Sequence, residues 1–256
     1  MKRFWLVTAI LMISLALPLS AVGQGMTTAE PISGSAYYPD GTQAEQASFL
    51  FEYQYPQFVV QSESDERINA YYQSVAQDMT GALFEQMALD AMELWTEGMP
   101  PARTQIDYQL THNDERYLSV LLTSRQMIGN GESESLSANT FARDGVYAGQ
   151  PITLSQVLGL EETDDALSDQ PSLAEQLAYT LIWEIVKDQS ANIDGDYLDG
   201  LSLEAVEKAL SPETDFYLDE NNNVVFFIQS GVLAGEVAGA LLFPFAREEL
   251  LSAVNP

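Results

Sequence analysis

Alternating and helical periods along the chain predict a mixture of strands and helices. From Phe49 to Tyr55 aromatic residues occupy every second position, which is the period of a half-buried β-strand. Pro56 follows directly. We expect it to place this strand at a sheet edge or at a bulge, because proline cannot donate a hydrogen bond to a neighbouring strand.

Residues 64–98 carry apolar side chains at steps of three and four, which predicts one long amphipathic helix. Ser64 is expected to cap its N-terminus, and Gly98 is expected to end it. Gly81 costs about 1 kcal/mol relative to alanine inside a helix, so it marks the expected place of any bend. The positions expected to be buried are Ile68, Val75, Met79, Leu83 and Met87.

The period returns to two in the middle of the chain. Residues 104–122 predict a hairpin around the polar turn 112–115, and residues 134–141 predict a third strand. The Asn130-Gly131 pair that precedes the third strand is a strong turn signal. We therefore expect an antiparallel meander.

The C-terminal half predicts shorter helices and a second set of strands. Ser172 and Glu175 have the spacing of a capping box, which predicts the start of a helix. Further elements are expected as a helix at 202–210, a hairpin at 216–218 and 224–228, and an apolar strand at 240–245. The whole order predicts an α+β fold: an antiparallel sheet of a meander and hairpins, with one long helix and two or three shorter helices packed on one face. A subdomain break is expected near residue 151.

The N-terminus has the plan of a secretory signal peptide. Lys2 and Arg3 precede an apolar run over residues 4–17, and small residues suit cleavage after Gly23. An uncleaved membrane anchor is the alternative, and both place the rest of the chain outside the cytoplasm. We expect residues 1–23 to be the signal peptide, 24–46 a flexible leader and 47–256 the folded domain.

Composition then narrows the classes of function. The chain has 38 acidic and 10 basic residues, and its formal net charge is −28. Nucleic acids and anionic membrane surfaces would be repelled, so neither is an expected partner, and membrane contact is expected only of the N-terminal segment. With no cysteine and one histidine, the chain lacks a thiol nucleophile, a thiolate metal site and a multi-histidine metal site.

Candidate chemistry is sparse, and the chain is not expected to be an enzyme. His112 is the sole imidazole, and it is expected to be a solvated turn residue. The acidic stretch 192–199 lacks glycine and glutamate at the positions that a calcium-binding hand requires, so no such hand is predicted. Whether a weak calcium site of another kind forms around Asp194 and Asp196 is left open. Otherwise no catalytic residue, metal or cofactor is predicted. Paired carboxylates are common by chance among 38 acids, so a glycan hydrolase is an alternative only.

Four local patterns occur in one order along the chain. They are DERINAYYQSV after the aromatic strand, NTFARDGVYAGQPITLSQVLGL after the meander, DFYLDENNNVVFFIQ, and AGEVAGALLFPFAREEL near the C-terminus. Together they resemble the RsiV-like extracellular domain family of Gram-positive bacteria over roughly residues 47–251. That domain of unknown function forms the outer part of the sigma-V anti-sigma factor and occurs beside some peptidoglycan deacetylase domains. The resemblance implies a receptor-like domain for lysozyme, a strongly basic protein.

Three departures from the family shape the expected function. A Gly-Gly-Ala-His motif is replaced by the stretch 129–134, an Asn-Pro-Tyr motif is replaced by 229–231, and only three residues precede the hydrophobic run. We therefore expect no sigma-binding part. The expected function is an exported, non-enzymatic binding module for a basic protein such as a lysozyme, or for a cell-wall component. Its candidate binding residues are Glu132 and Glu134, on an exposed turn of the meander. The alternative is an exported carboxylate-dependent hydrolase of envelope glycans.

Overall fold

The structure, a computed structural model, describes residues 25–96, 98–160, 171–190 and 197–254. The predicted signal peptide, residues 1–23, lies outside these ranges. The α+β fold class is confirmed, with eight strands in two sheets. The strands are β1 (Ile32–Tyr38), β2 (Phe49–Tyr55), β3 (Ala102–Asn113), β4 (Tyr117–Ile128), β5 (Gly131–Ala142), β6 (Phe216–Leu218), β7 (Val224–Ile228) and β8 (Leu241–Phe245). The helices are α1 (Glu63–Thr80), α2 (Phe84–Leu94), α3 (Leu154–Val157), α4 (Leu173–Ser190), α5 (Leu203–Ala209) and α6 (Arg247–Val254).

The first sheet contains β1 to β5 in chain order, and its neighbours are antiparallel except for the parallel pair β2–β3. Parallel neighbours need a crossover, and α1 and α2 supply it on one face of the sheet. The predicted meander is confirmed as β3, β4 and β5. Its second turn is a two-residue loop, Gly129-Asn130, and Gly129 has a φ of 60°, which glycine tolerates and which starts a type II′ turn.

The prediction of one unbroken helix over 64–98 is wrong, because the helix breaks at Gly81. Gly81 has φ −107° and ψ −103°, which is not a helical conformation, and α2 begins at Phe84. The break turns Phe84 toward the sheet, with its ring centroid 5.8 Å from that of Phe49. Leu83 points outward instead and is 49% exposed, against the expectation that it is buried.

The other predictions for this segment hold in part. Ile68 is fully buried, while Val75, Met79 and Met87 are half-buried on the helix side of the sheet. The N-cap is Ser62 and not Ser64: the Ser62 hydroxyl accepts a hydrogen bond from the Asp65 backbone N–H at 3.2 Å. The helix therefore begins slightly earlier than predicted.

The predicted flexible leader over 24–46 contains a strand, so that expectation is wrong for β1. β1 pairs along its whole length with β2, which makes β2 an inner strand rather than an edge strand. Pro56 causes no bulge, because β2 ends at the residue before it. The alternation is weak in β1 because small residues occupy its centre. One of them, Gly34, lies under the Tyr53 ring, where an added Cβ would be 2.5 Å from the hydroxyl oxygen.

The second sheet has the order β6-β7-β8, all antiparallel, and the predicted hairpin and last apolar strand are confirmed there. The capping box that opens α4 is confirmed too: Glu175 N–H donates to the Ser172 hydroxyl (3.1 Å), and Ser172 N–H donates to the Glu175 carboxylate (2.7 Å). Two buried apolar clusters result. One lies between the first sheet and α1 and α2. The other lies among the second sheet, α3 to α6, and the ends of β4 and β5. The subdomain break near 151 stays a prediction.

Candidate binding face of the first sheet

The first sheet has one apolar face and one polar face. Alternate residues of a strand point to opposite faces, and the apolar set, including Phe51, Ile106 and Leu118, packs against α1 and α2. The other set faces away from these helices. Toward the β4–β5 turn this face carries Met127 and a group of polar and charged residues: Glu52, Gln54, Arg103, Gln105, Asp107, Arg125, Glu132 and Glu134. We call these eight polar and charged residues the open face.

Ion pairs link the strands across the open face. Arg103 lies 2.5 Å from Glu52 on the neighbouring strand. Arg125 lies between two carboxylates, 3.0 Å from Glu134 and 3.5 Å from Asp107. These side chains are roughly 35–50% exposed, so each pair contributes little to stability. Two arginines balance only part of the negative charge that the four acidic residues bring.

A shallow groove of about 490 Å³ runs over the β1–β3 part of this surface. Its walls carry hydroxyl, amide, carboxylate and guanidinium groups. The lining includes Ser33, Ser35, Glu52, Gln54, Arg103, Gln105 and Asp107. Such a groove offers hydrogen bonds to a ligand without enclosing it.

Glu132 and Glu134 were predicted on an exposed turn, and the structure places them on a strand. The turn ends before Gly131, and both glutamates lie in the N-terminal part of β5, at the edge of the sheet. All five residues of 131–135 are exposed. The two side chains share the open face because they are two positions apart. Glu134 is held by Arg125, whereas Glu132 has no ion pair among the described residues. Their role in binding remains a prediction.

His112 is buried, so the expectation of a solvated turn residue is wrong. A bulge at Thr111 shifts the register, because Leu110 pairs with Val120 while His112 pairs with Ser119. The bulge re-aims the imidazole to the other face of β3, toward the hairpin of the second sheet. Only 7% of His112 is exposed. Sequence periodicity carries no signal for such a bulge.

The buried imidazole connects the two sheets. His112 Nδ1 lies 2.7 Å from the Asp219 carbonyl oxygen, so Nδ1 carries a proton and donates it to this hydrogen bond. Its Nε2 lies 3.0 Å from the Asp114 carboxylate, at ion-pair distance but without the alignment of a hydrogen bond. Burial raises the pKa of Asp114, but backbone N–H groups of Tyr117 and Arg116 and the imidazole outweigh it and lower that pKa below its ordinary value.

A row of buried hydroxyl groups continues this connection. Ser119 Oγ accepts a hydrogen bond from the Leu218 backbone N–H of β6 at 3.1 Å. It also lies 2.9 Å from the hydroxyl of Thr140 on β5. Both Ser119 and Thr140 are almost fully buried. These groups fix the second sheet over one end of the polar side of the first sheet and leave the open face uncovered.

Asp215 is one carboxyl group of the described residues to consider for a two-carboxylate catalytic site. Burial raises the pKa of Asp215, although hydrogen bonds from Ser211 and Thr214 act in the opposite direction. Its carboxylate accepts from the Ser211 backbone N–H at 2.7 Å, so it serves the turn before β6. A glycoside hydrolase would need such a group to face a second carboxylate across a cleft.

Metal ligands are not grouped in the described part of the chain, where no cluster of three or more histidine or acidic residues could hold an ion. Asp219 instead bonds its own turn, accepting from the backbone N–H groups of Asn221 and Asn223. Asp194 and Asp196, around which a weak calcium site was left open, lie outside the described residues. No helix within the described ranges is long and apolar enough to cross a bilayer.

Comparison with known proteins supports the fold. No family model and no curated protein matches the chain. The structure is similar to the crystal structure of a DUF3298 family protein from Pseudomonas aeruginosa PAO1, with a TM-score of 0.53 and 15% identity over 90% of this chain and 94% of that one. A member of the same family from Bacteroides fragilis has a TM-score of 0.49 and 11% identity, over 90% and 93% of the two chains.

The first of these similarities shows a shared fold with a family of unknown function. DUF3298 proteins are related to RsiV-like domains, so the predicted resemblance agrees with the fold. Membership of the RsiV-like family itself stays a prediction.

Proposed function

We propose that this chain is an exported, non-enzymatic binding module for a basic protein, and that the open face and the edge at Glu132 and Glu134 form its contact surface. The observation that carries the proposal is the exposure of this acidic edge of the sheet: residues 131–135 are all exposed, while most of the remaining residues of β5 are half-buried or buried. Binding residues tend to lie on exposed segments that a stable scaffold positions.

Charge supports the class of partner. A chain with a net charge of −28 attracts a basic protein from a distance and speeds the encounter. At the surface, Glu132 has no ion pair among the described residues, and Glu134 shares Arg125 with Asp107. The edge therefore retains negative charge that a lysine or arginine could neutralise.

The resemblance described above supports the same class of partner. Its implied ligand, a lysozyme, is strongly basic, and the shared fold with a DUF3298 family protein is consistent with a domain of this kind. Export is part of the proposal and rests on the N-terminal pattern of basic, apolar and small residues.

The test is a binding titration of residues 24–256 with hen lysozyme at low and high salt. We expect saturable association that weakens as salt screens the charges. Succinylated lysozyme, which has the same fold but lacks its positive lysines, is the matched control and should not bind. Equal binding of both forms, or no binding of native lysozyme and of a second basic protein such as cytochrome c at low salt, would contradict the proposal.

A further inference from the structure

The outer backbone side of β5 already bonds to other segments along part of its length. β5 is the last strand of the first sheet. Leu136 nevertheless donates its N–H to the Gln229 side-chain oxygen (2.9 Å), and its carbonyl accepts from the Gln229 side-chain nitrogen (2.8 Å). Further along, the Thr140 carbonyl accepts from the Ile152 backbone N–H (2.7 Å). Other groups thus take the place of a sixth strand over the C-terminal half of β5.

No other segment of the described residues bonds to the N-terminal half of this edge. In an antiparallel strand, residues whose backbone groups point outward alternate with residues that bond the neighbouring strand. β4 and β5 pair without a register shift, so every second residue of β5 directs its backbone groups outward, as Leu136 and Thr140 do. Counting back from Leu136 by twos gives Glu134 and Glu132. The N–H and C=O groups of these two glutamates therefore point outward. Within the described ranges they have no bonding partner.

The negative charge at this edge favours a basic segment over a second copy of the chain as its partner. Both glutamate side chains lie on the open face, beside the outward backbone groups, and Arg125 is shared between Glu134 and Asp107. A second copy of this chain would bring its own Glu132 and Glu134 against these residues, and like charges on adjacent strands are destabilising. An extended segment with lysine or arginine at alternate positions would instead pair with them.

We propose that an extended basic segment of the partner adds to β5 as a sixth strand along residues 131–135, bonding the backbone groups of Glu132 and Glu134. This inference rests on the proposed function and adds its mode of recognition. Backbone hydrogen bonds supply affinity in such strand addition, and alternate side chains supply specificity. Gln229, at Leu136, marks the end of the free edge.

Two substitutions at Glu132 distinguish recognition of the backbone from recognition of the charge. Glu132→Gln removes the charge and keeps the outward N–H, whereas Glu132→Pro removes both. Proline is tolerated in an edge strand where its nitrogen faces away from the ladder, so β4–β5 pairing is retained. The probe is an acetylated peptide of alternating lysine and threonine. Its matched control is the same peptide with every backbone nitrogen methylated, which has the same charge but cannot donate backbone hydrogen bonds.

We expect Glu132→Pro to bind the probe roughly three- to tenfold more weakly than Glu132→Gln, the loss of about one hydrogen bond. The methylated peptide should bind wild-type protein more weakly than the unmethylated probe does, by at least the same factor. The unmethylated probe should slow amide exchange at Glu132 and Glu134. The wild-type measurements decide the matter if the proline variant does not fold. Equal binding of the two variants, or of the two peptides, would overturn strand addition and leave the proposed function standing. Absence of binding to any basic protein would overturn both.

Discussion

Replacing Ser119 with alanine tests how the two sheets are held together. The Ser119 hydroxyl is completely buried, accepts a hydrogen bond from Leu218 N–H, and lies 2.9 Å from the Thr140 hydroxyl. Ser119→Ala leaves the Leu218 N–H without this acceptor in a buried place, and it removes the partner of Thr140. An unsatisfied buried group costs about 1–3 kcal/mol. With two groups affected, we expect the free energy of unfolding to fall by about 2–6 kcal/mol.

Urea unfolding monitored by circular dichroism measures this loss. Ser133→Ala is the matched control, because Ser133 lies exposed on β5, and it should change the free energy by less than about 0.5 kcal/mol. In the double variant Ser119→Ala/Thr140→Val, the second change should cost less than Thr140→Val does alone, because the hydroxyl pair is already broken. Additive effects would refute the pairing of the two hydroxyls within the first sheet. A loss for Ser119→Ala no larger than for the control would refute the view that the Ser119 hydroxyl joins the sheets.

Three further outcomes are expected. The pKa of Asp114 is lower in the folded protein than its unfolded value of 3.8, so the ionised carboxylate stabilises the fold fully above that value and loses this effect as pH falls through the folded pKa. The difference in unfolding free energy between wild type and Asp114→Asn should therefore shrink in acid. A difference that stays constant with pH would contradict this. Burial raises the pKa of Tyr55 to about 12. The unfolded chain therefore loses this proton first as pH rises, so the free energy of unfolding should fall between pH 10 and 12. This fall should be smaller in Tyr55→Phe, and an equal fall would contradict the assignment. Gln229→Ala should speed amide exchange at Leu136, and unchanged exchange there would argue against the observed pairing.

Periodicity predicted the elements whose side chains alternate clearly between core and solvent. β2 to β5, α4 and the β6–β7 hairpin belong to this group, because a half-buried strand or helix leaves its period in the sequence. β1 was missed because the positions that face the helices include Gly34 and Ala36, which are too small to give an apolar signal. The helix break was missed because the apolar steps continue through Gly81, and only packing against the sheet sets that backbone angle.

The site was harder to predict than the fold. The sequence drew attention to Glu132 and Glu134 as exposed acids, but it gave no indication that they lie on an edge strand, because strand order depends on contacts between distant segments. His112 shows the same limit. Its burial results from a one-residue bulge and from contact with the Asp219 turn, more than a hundred positions along the chain. Such long-range features leave no period in the sequence.

The acidic edge of β5 is proposed to receive a basic partner, and association kinetics with hen lysozyme test this most directly. We would compare the wild type with Glu132→Gln/Glu134→Gln and with Glu85→Gln/Glu93→Gln, a control that removes the same charge from exposed positions on α2. The first variant should associate more slowly and with a flatter salt dependence, because charges at an interface steer encounter, whereas the control should differ little from wild type. Equal effects of the two double variants, or no effect of the first, would contradict the claim.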